Sequence, residues 1–168
     1  RPVEALGSLL ADGLRRALGG EVEEKAREWV EPRTQRRLAL PARFRQLEAA
    51  RLARLLGVWL AFEAGRSIAF EVVACEQEAT VEIEEITVRM VVDRIDRLAD
   101  GRLVIIDYKT GRSIDFRNWA EQRITEPQLP IYAALVADDV SAAVFAKVLL
   151  DATAFAGVAD DRDVLPGV

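Results

Sequence analysis

Two stretches decide how this chain folds: Met90-Val91-Val92-Asp93-Arg94-Ile95-Asp96-Arg97 and Val104-Ile105-Ile106-Asp107-Tyr108-Lys109-Thr110-Gly111. Both read as strands, and Asp100-Gly101 between them is a strong hairpin signal. In the second stretch Asp107 and Lys109 are two apart, so on a strand they project from one face while Ile106 and Tyr108 project from the other. An acid and a base at the end of an apolar strand need a reason, and the hairpin register decides which upstream acid joins them. If residues 99–101 form a three-residue loop with Gly101 in the left-handed region, Asp93 lies opposite Asp107, with Cβ atoms about 5 Å apart. A two-residue loop on Asp100-Gly101 would instead bring Asp96 to the Asp107 face. Two carboxylates that close, among Ile and Val neighbours, repel unless they share a proton or a cation. Hard oxygen ligands of this kind select Mg²⁺ or Mn²⁺.

Around this hairpin the hydrophobic period is two, with strands expected over Phe70–Cys75, Val81–Glu84, Ile86–Asp93 and Leu103–Tyr108. Before Arg66 it is helical. Val3, Leu6, Leu10, Leu14 and Leu18 form one stripe ended by Gly19-Gly20, and Val22, Ala26, Trp29 and Val30 form a second ended by Pro32. Leu52, Leu55, Leu56, Trp59 and Leu60 predict a core-facing helix from about Pro41 to Glu63. Helical spacing resumes from Glu126-Pro127 through Gln128, Ile131, Tyr132, Leu135 and Val136, and 142–150 suits a buried strand. The expected organisation is a helical part over 1–66 packing on a core at 67–150, with 151–168 a peripheral extension, all in one domain. Because the chain opens on Arg1, it reads as a piece of something longer.

Composition narrows the chemistry. With no histidine, Ser-His and Cys-His pairings and imidazole metal sites are excluded within the chain. The single cysteine, Cys75, makes no internal disulfide and holds no zinc or iron-sulfur cluster alone. No apolar run reaches the roughly 18–20 residues a bilayer requires, so the expectation is a cytoplasmic protein with no membrane partner. Residues 1–66 carry 13 basic against 9 acidic side chains, a net of +4, whereas 67–168 carry 10 against 19, a net of −9. On the expected helix Arg43, Arg51 and Arg54 share the side away from the core, where they are candidates for contact with DNA phosphates. The chain uses 20 arginines and only three lysines, Lys25, Lys109 and Lys147. A lysine at 109 therefore stands out, because an amine partly buried beside a metal can lose its proton and a guanidinium cannot.

The ordered combination of Val92-Asp93-Arg94-Ile95-Asp96, a short hairpin, Ile106-Asp107-Tyr108-Lys109-Thr110-Gly111 and Glu126-Pro127-Gln128-Leu129-Pro130-Ile131-Tyr132 resembles the RecB-like nuclease domain of the PD-(D/E)XK superfamily, including the AddB-type domains of bacterial repair exonucleases. The resemblance covers roughly residues 68–150. It implies a restriction-endonuclease-like α+β core: a helix, a three-stranded antiparallel meander, a helix and a further strand. It also implies a DNA nuclease of bacterial recombination or repair, dependent on Mg²⁺ or Mn²⁺ and working with a helicase domain or subunit. Asp93 matches the first metal-binding aspartate, Asp107 the second and Lys109 the catalytic lysine, with the Tyr108 backbone carbonyl an extra metal ligand. Gln128 and Tyr132 match the Gln-x-x-x-Tyr helix motif, and Glu76 takes the place of an acidic residue often found upstream.

The sequence departs from that pattern at three points. Met90 stands where the family usually has glycine three residues before its first aspartate. The family's metal-binding histidine has no counterpart here, and the four-cysteine iron-sulfur clamp of some AddB-type members is missing. A second reading therefore stays open: a nuclease fold that binds DNA or a helicase partner without cutting.

Overall fold

A computed structural model describes residues 41–111, 116–120, 124–135 and 138–168. The two helical stripes expected before residue 41 lie outside the described residues. Helix α1, Ala42–Glu63, follows Pro41, whose carbonyl accepts from Phe44 N at 2.9 Å and closes the first turn. The predicted stripe faces inward: Leu55, Leu56, Trp59 and Leu60 are buried and Leu52 packs against them. Trp59 is the centre of this packing, meeting Tyr108 and Phe155 edge-on at 5.7 and 5.3 Å between ring centroids.

Five strands form one sheet in the order β1-β2-β3-β4-β5: β1 Phe70–Ile83, β2 Ile86–Leu98, β3 Leu103–Lys109, β4 Val140–Lys147 and β5 Ala154–Ala159. The first three make an antiparallel meander. The chain then crosses over through a short 3₁₀ turn, Arg117–Ala120, and helix α2, Gln128–Leu135, to β4, which runs parallel to β3. The expected α+β order is present. Two expected strands, Phe70–Cys75 and Val81–Glu84, prove to be one, turning at Glu84-Glu85 with Ile83 paired to Ile86. Glu84 has φ +55°, the positive value that a two-residue hairpin turn demands, on a side chain that seldom adopts it. The segment 151–168, expected to be peripheral, adds edge strand β5 and buries Val164 and Leu165 in the core. Gly157 is needed there, because a Cβ would stand 2.2 Å from the Ala143 carbonyl oxygen.

The β2–β3 hairpin settles the register. Leu98 N bonds the Arg102 carbonyl at 2.8 Å, and Gly101, at φ +94°, donates to the Leu98 carbonyl at 3.0 Å. This is the three-residue loop, and the ladder pairs Arg94 with Ile106, Ile95 with Ile105 and Asp96 with Val104. The alternative register, with Asp96 on the Asp107 face, is not adopted. α1 covers the sheet face carrying Leu98, Val104, Ile106, Tyr108 and Val144. α2 covers the other, with Leu129 and Tyr132 against Val92, Ile95, Ile105 and Phe145. Among the described residues no helix is long and apolar enough to cross a membrane.

Candidate functional site

The β2–β3 ladder ends at the Arg94–Ile106 pair; continued by one residue its register sets Asp93 beside Asp107, and the two carboxylates are close enough to act on each other. Here the ladder gives way to a side chain: Tyr108 N donates to Asp93 Oδ2 at 2.7 Å. The β1–β2 ladder is irregular at the same level. It pairs Cys75 with Arg94 and Gln77 with Val92, skipping Glu76 and Asp93, and Glu76 has φ +49°. Val92 and Ile95, three apart, pack under α2, while Arg94 turns to the α1 side. The two-residue alternation therefore slips at Asp93 while the β1–β2 register is the same on either side of it; the ladder's register shift lies at Val72/Ala74.

The electrostatics follow from this crowding. Burial, then the Asp107 carboxylate, push the Asp93 carboxyl up to about 6; the Tyr108 N–H and Lys109 pull it back, and Glu76 adds to the push. Burial likewise raises Asp107, partly offset by Lys109. The Lys109 ammonium nitrogen is 3.0 Å from Asp107 Oδ2 and 3.1 Å from Glu126 Oε2, and 5.1 Å from the Phe145 ring centroid. Burial alone would lower the Lys109 pKa, but the two carboxylates outweigh it and hold the amine above its ordinary value. Between these two carboxylates, with no cation beside it, Lys109 is a charged ammonium. Asp107 Oδ2 is buried and, apart from this ion pair, accepts no aligned hydrogen bond. Two raised carboxylates with an under-used buried oxygen fit a hard divalent cation, which is commonly held by one or two carboxylates and completed by water. Among the described residues no three His, Cys, Asp or Glu side chains converge into a larger ligand set.

The other sequence candidates are distributed unevenly. Gln128, in the first turn of α2, donates its side-chain amide to the Val91 carbonyl, two residues before Asp93. Tyr132 is buried one turn later in the core beneath α2. Glu76 is exposed but close enough to raise Asp93. Arg43, Arg51 and Arg54 are exposed on α1, and Arg51 is already bound to Glu48 through two hydrogen bonds of 2.9 and 2.6 Å. The structure does not bring these arginines to the carboxylates, because α1 covers the opposite face of the sheet.

Two features escaped the sequence reading. In the sequence Glu126 stands only as the residue before a helix-starting proline, yet its carboxylate meets Lys109. Beneath the site lies a buried ionic cluster. Arg94 donates to Glu63 Oε1 at 2.8 Å, to Asp96 Oδ1 at 2.6 Å and to the Tyr108 hydroxyl at 3.0 Å, while Arg66 reaches Asp96 Oδ2 at 2.6 Å. Its signal lies in the alternation: Arg94 and Asp96 precede buried Leu98 at two-residue spacing on the α1 face, where a strand normally places apolar residues.

No curated protein matches this chain. A family model described as the PD-(D/E)XK nuclease superfamily matches residues 3–161, a span that contains the Asp93, Asp107 and Lys109 constellation and all five strands. By that match, over nearly its whole length, the chain belongs to the PD-(D/E)XK nuclease superfamily.

Proposed function

We propose that the chain is a Mg²⁺- or Mn²⁺-dependent deoxyribonuclease domain, an exonuclease of bacterial recombination or repair that works beside a helicase domain or subunit. The single observation that carries the nuclease reading is the convergence of Asp93, Asp107 and Lys109 at one end of the β2–β3 hairpin. The repair setting and the helicase rest on the RecB-like motif order alone.

In this reading Asp93 and Asp107 hold the cation, and the Tyr108 backbone carbonyl is a further ligand. The cation supplies charge neutralisation at the scissile phosphate and activation of water. The chain's own residues do the rest. Tyr108 N–H fixes the Asp93 carboxylate, so that side chain is oriented before anything binds. Lys109 brings a positive charge to within 3.0 Å of Asp107, where it can orient the attacking water or hold a phosphoryl oxygen. Arg43, Arg51 and Arg54 contribute general attraction to phosphates at a distance from the chemistry.

The test is cleavage of an end-labelled linear DNA duplex by the full chain in Mg²⁺ and in Mn²⁺, beside Lys109→Ala. Metal-dependent cleavage by the wild type, reduced at least ~100-fold in the variant with DNA binding retained, is the expected result. The competing reading, a module that binds without cutting, is favoured by the lack of a third side-chain ligand among the described residues. DNA retention without cleavage in both proteins and both metals would establish it instead.

A further inference from the structure

Four non-glycine residues have positive φ among the described residues: Glu76, Glu84, Glu126 and Asp139. Glu84 lies in the β1–β2 turn and Asp139 immediately precedes β4, where chain reversal accounts for the conformation. Glu126, at φ +52°, is different. It precedes Pro127, a position where the backbone normally prefers the extended region, and the left-handed region is strained for a non-glycine residue. Such strain persists only where the surroundings impose it, and the surroundings of Glu126 are visible. Its carboxylate is 3.1 Å from Lys109 Nζ. Two residues on, Gln128 ties the same turn of α2 to the Val91 carbonyl of β2. Ile131 N closes the turn on the Pro127 carbonyl at 3.0 Å. The start of α2 is thus anchored to the strand that carries Asp93, and from that anchor it presents Glu126 to the lysine on β3.

We infer that Glu126 is the positioning residue for Lys109: with Asp107 on the other side, it fixes where the ammonium stands relative to the two site carboxylates. A lysine side chain has four rotatable bonds, and one ion pair with Asp107 leaves the amine free to swing about that oxygen. A second carboxylate, carried on a different element and locked by Pro127 and Gln128, removes that freedom. Glu126 contacts no reacting atom in this account. Its own negative charge opposes DNA, so the gain from retaining it must come through the lysine.

This inference rests on the nuclease reading for its kinetic consequence but not for its structural one, and the test separates the two. In the full chain, Glu126→Gln keeps an oxygen that can accept from Lys109, whereas Glu126→Ala keeps none. Cleavage of a linear duplex in Mn²⁺ should give kcat in the order wild type, Gln, Ala, with Ala down about tenfold, while KM for DNA stays level or falls because an acid has been removed. Equal kcat in all three, with only KM changed, would overturn the inference. The second readout needs no activity. Only three lysines contribute side-chain ammonium signals in ¹H–¹⁵N spectra. The Lys109 signal should shift and exchange faster in Glu126→Ala, with Lys147, its ladder partner on β4, unmoved. An unmoved Lys109 signal would overturn the inference whether or not the chain cuts DNA. If the wild type does not cleave and the signal still shifts, the positioning contact stands and the nuclease reading falls.

Discussion

Burial and the Asp107 carboxylate lift Asp93 from 3.8 to about 6, so between those values the folded chain holds a proton that the unfolded chain has released. Stability without metal therefore rises as pH falls from about 6 toward 3.8. Above pH 6 the buried anion carries its full cost, on the order of 1–3 kcal/mol. Asp93→Asn removes that cost and keeps an oxygen for the Tyr108 N–H. Urea unfolding of the metal-free proteins should show the variant more stable at pH 8 and equal to the wild type near pH 4, whereas matching midpoints at both would contradict the assignment. A bound cation reverses the preference, and metal affinity should fall as pH drops below about 6. The hairpin was legible because Asp100-Gly101 announces a tight loop, but two and three residues remained open as its length, and the choice of Asp93 over Asp96 beside Asp107 came only with the Leu98–Arg102 closure. Glu126 was not legible, since its role depends on a left-handed backbone conformation that its residue type argues against.

Arg94, Asp96 and Tyr108 stand one residue away from Asp93, Ile95 and Asp107 but face α1, where Glu63 and Arg66 complete a cluster buried from solvent. It ties α1, β2 and β3 together directly behind the site. Arg66 also stacks on Phe70, its guanidinium carbon 3.6 Å from the ring centroid. Removing one partner from such a cluster leaves charge stranded away from water. Arg94→Met, which keeps much of the volume, should cost about 3–5 kcal/mol, read from the denaturant midpoint at constant m-value. A loss below ~1 kcal/mol would show that the cluster is open to water. The helical stripe of α1 and the apolar run of β3 were readable because period and burial agree. The continuity of β1 was hidden by Glu76, Gln77 and Glu78, three polar residues in succession that break the alternation although the backbone remains extended.

Charge divides the chain into a basic first part and an acidic remainder, and the fold keeps that division spatial for the described residues: the arginines of α1 lie on one side of the sheet and the carboxylate site on the other. DNA attraction and DNA chemistry are therefore predicted to be separable. Reversing Arg43, Arg51 and Arg54 together to Glu should weaken duplex binding and flatten its dependence on salt in filter-binding series, while leaving Mn²⁺ affinity as it was. An unchanged salt slope would remove this helix from the DNA-binding account. Family membership and the sheet say that the chain has a nuclease scaffold; the proposal that it is a working site rests on a cation held jointly by β2 and β3. Calorimetric titration of Mn²⁺ into the full chain, wild type beside Asp107→Ala, decides that point. One binding event is expected in the wild type, lost or weakened at least ~10-fold in the variant. Equal Mn²⁺ binding by the two proteins would contradict it.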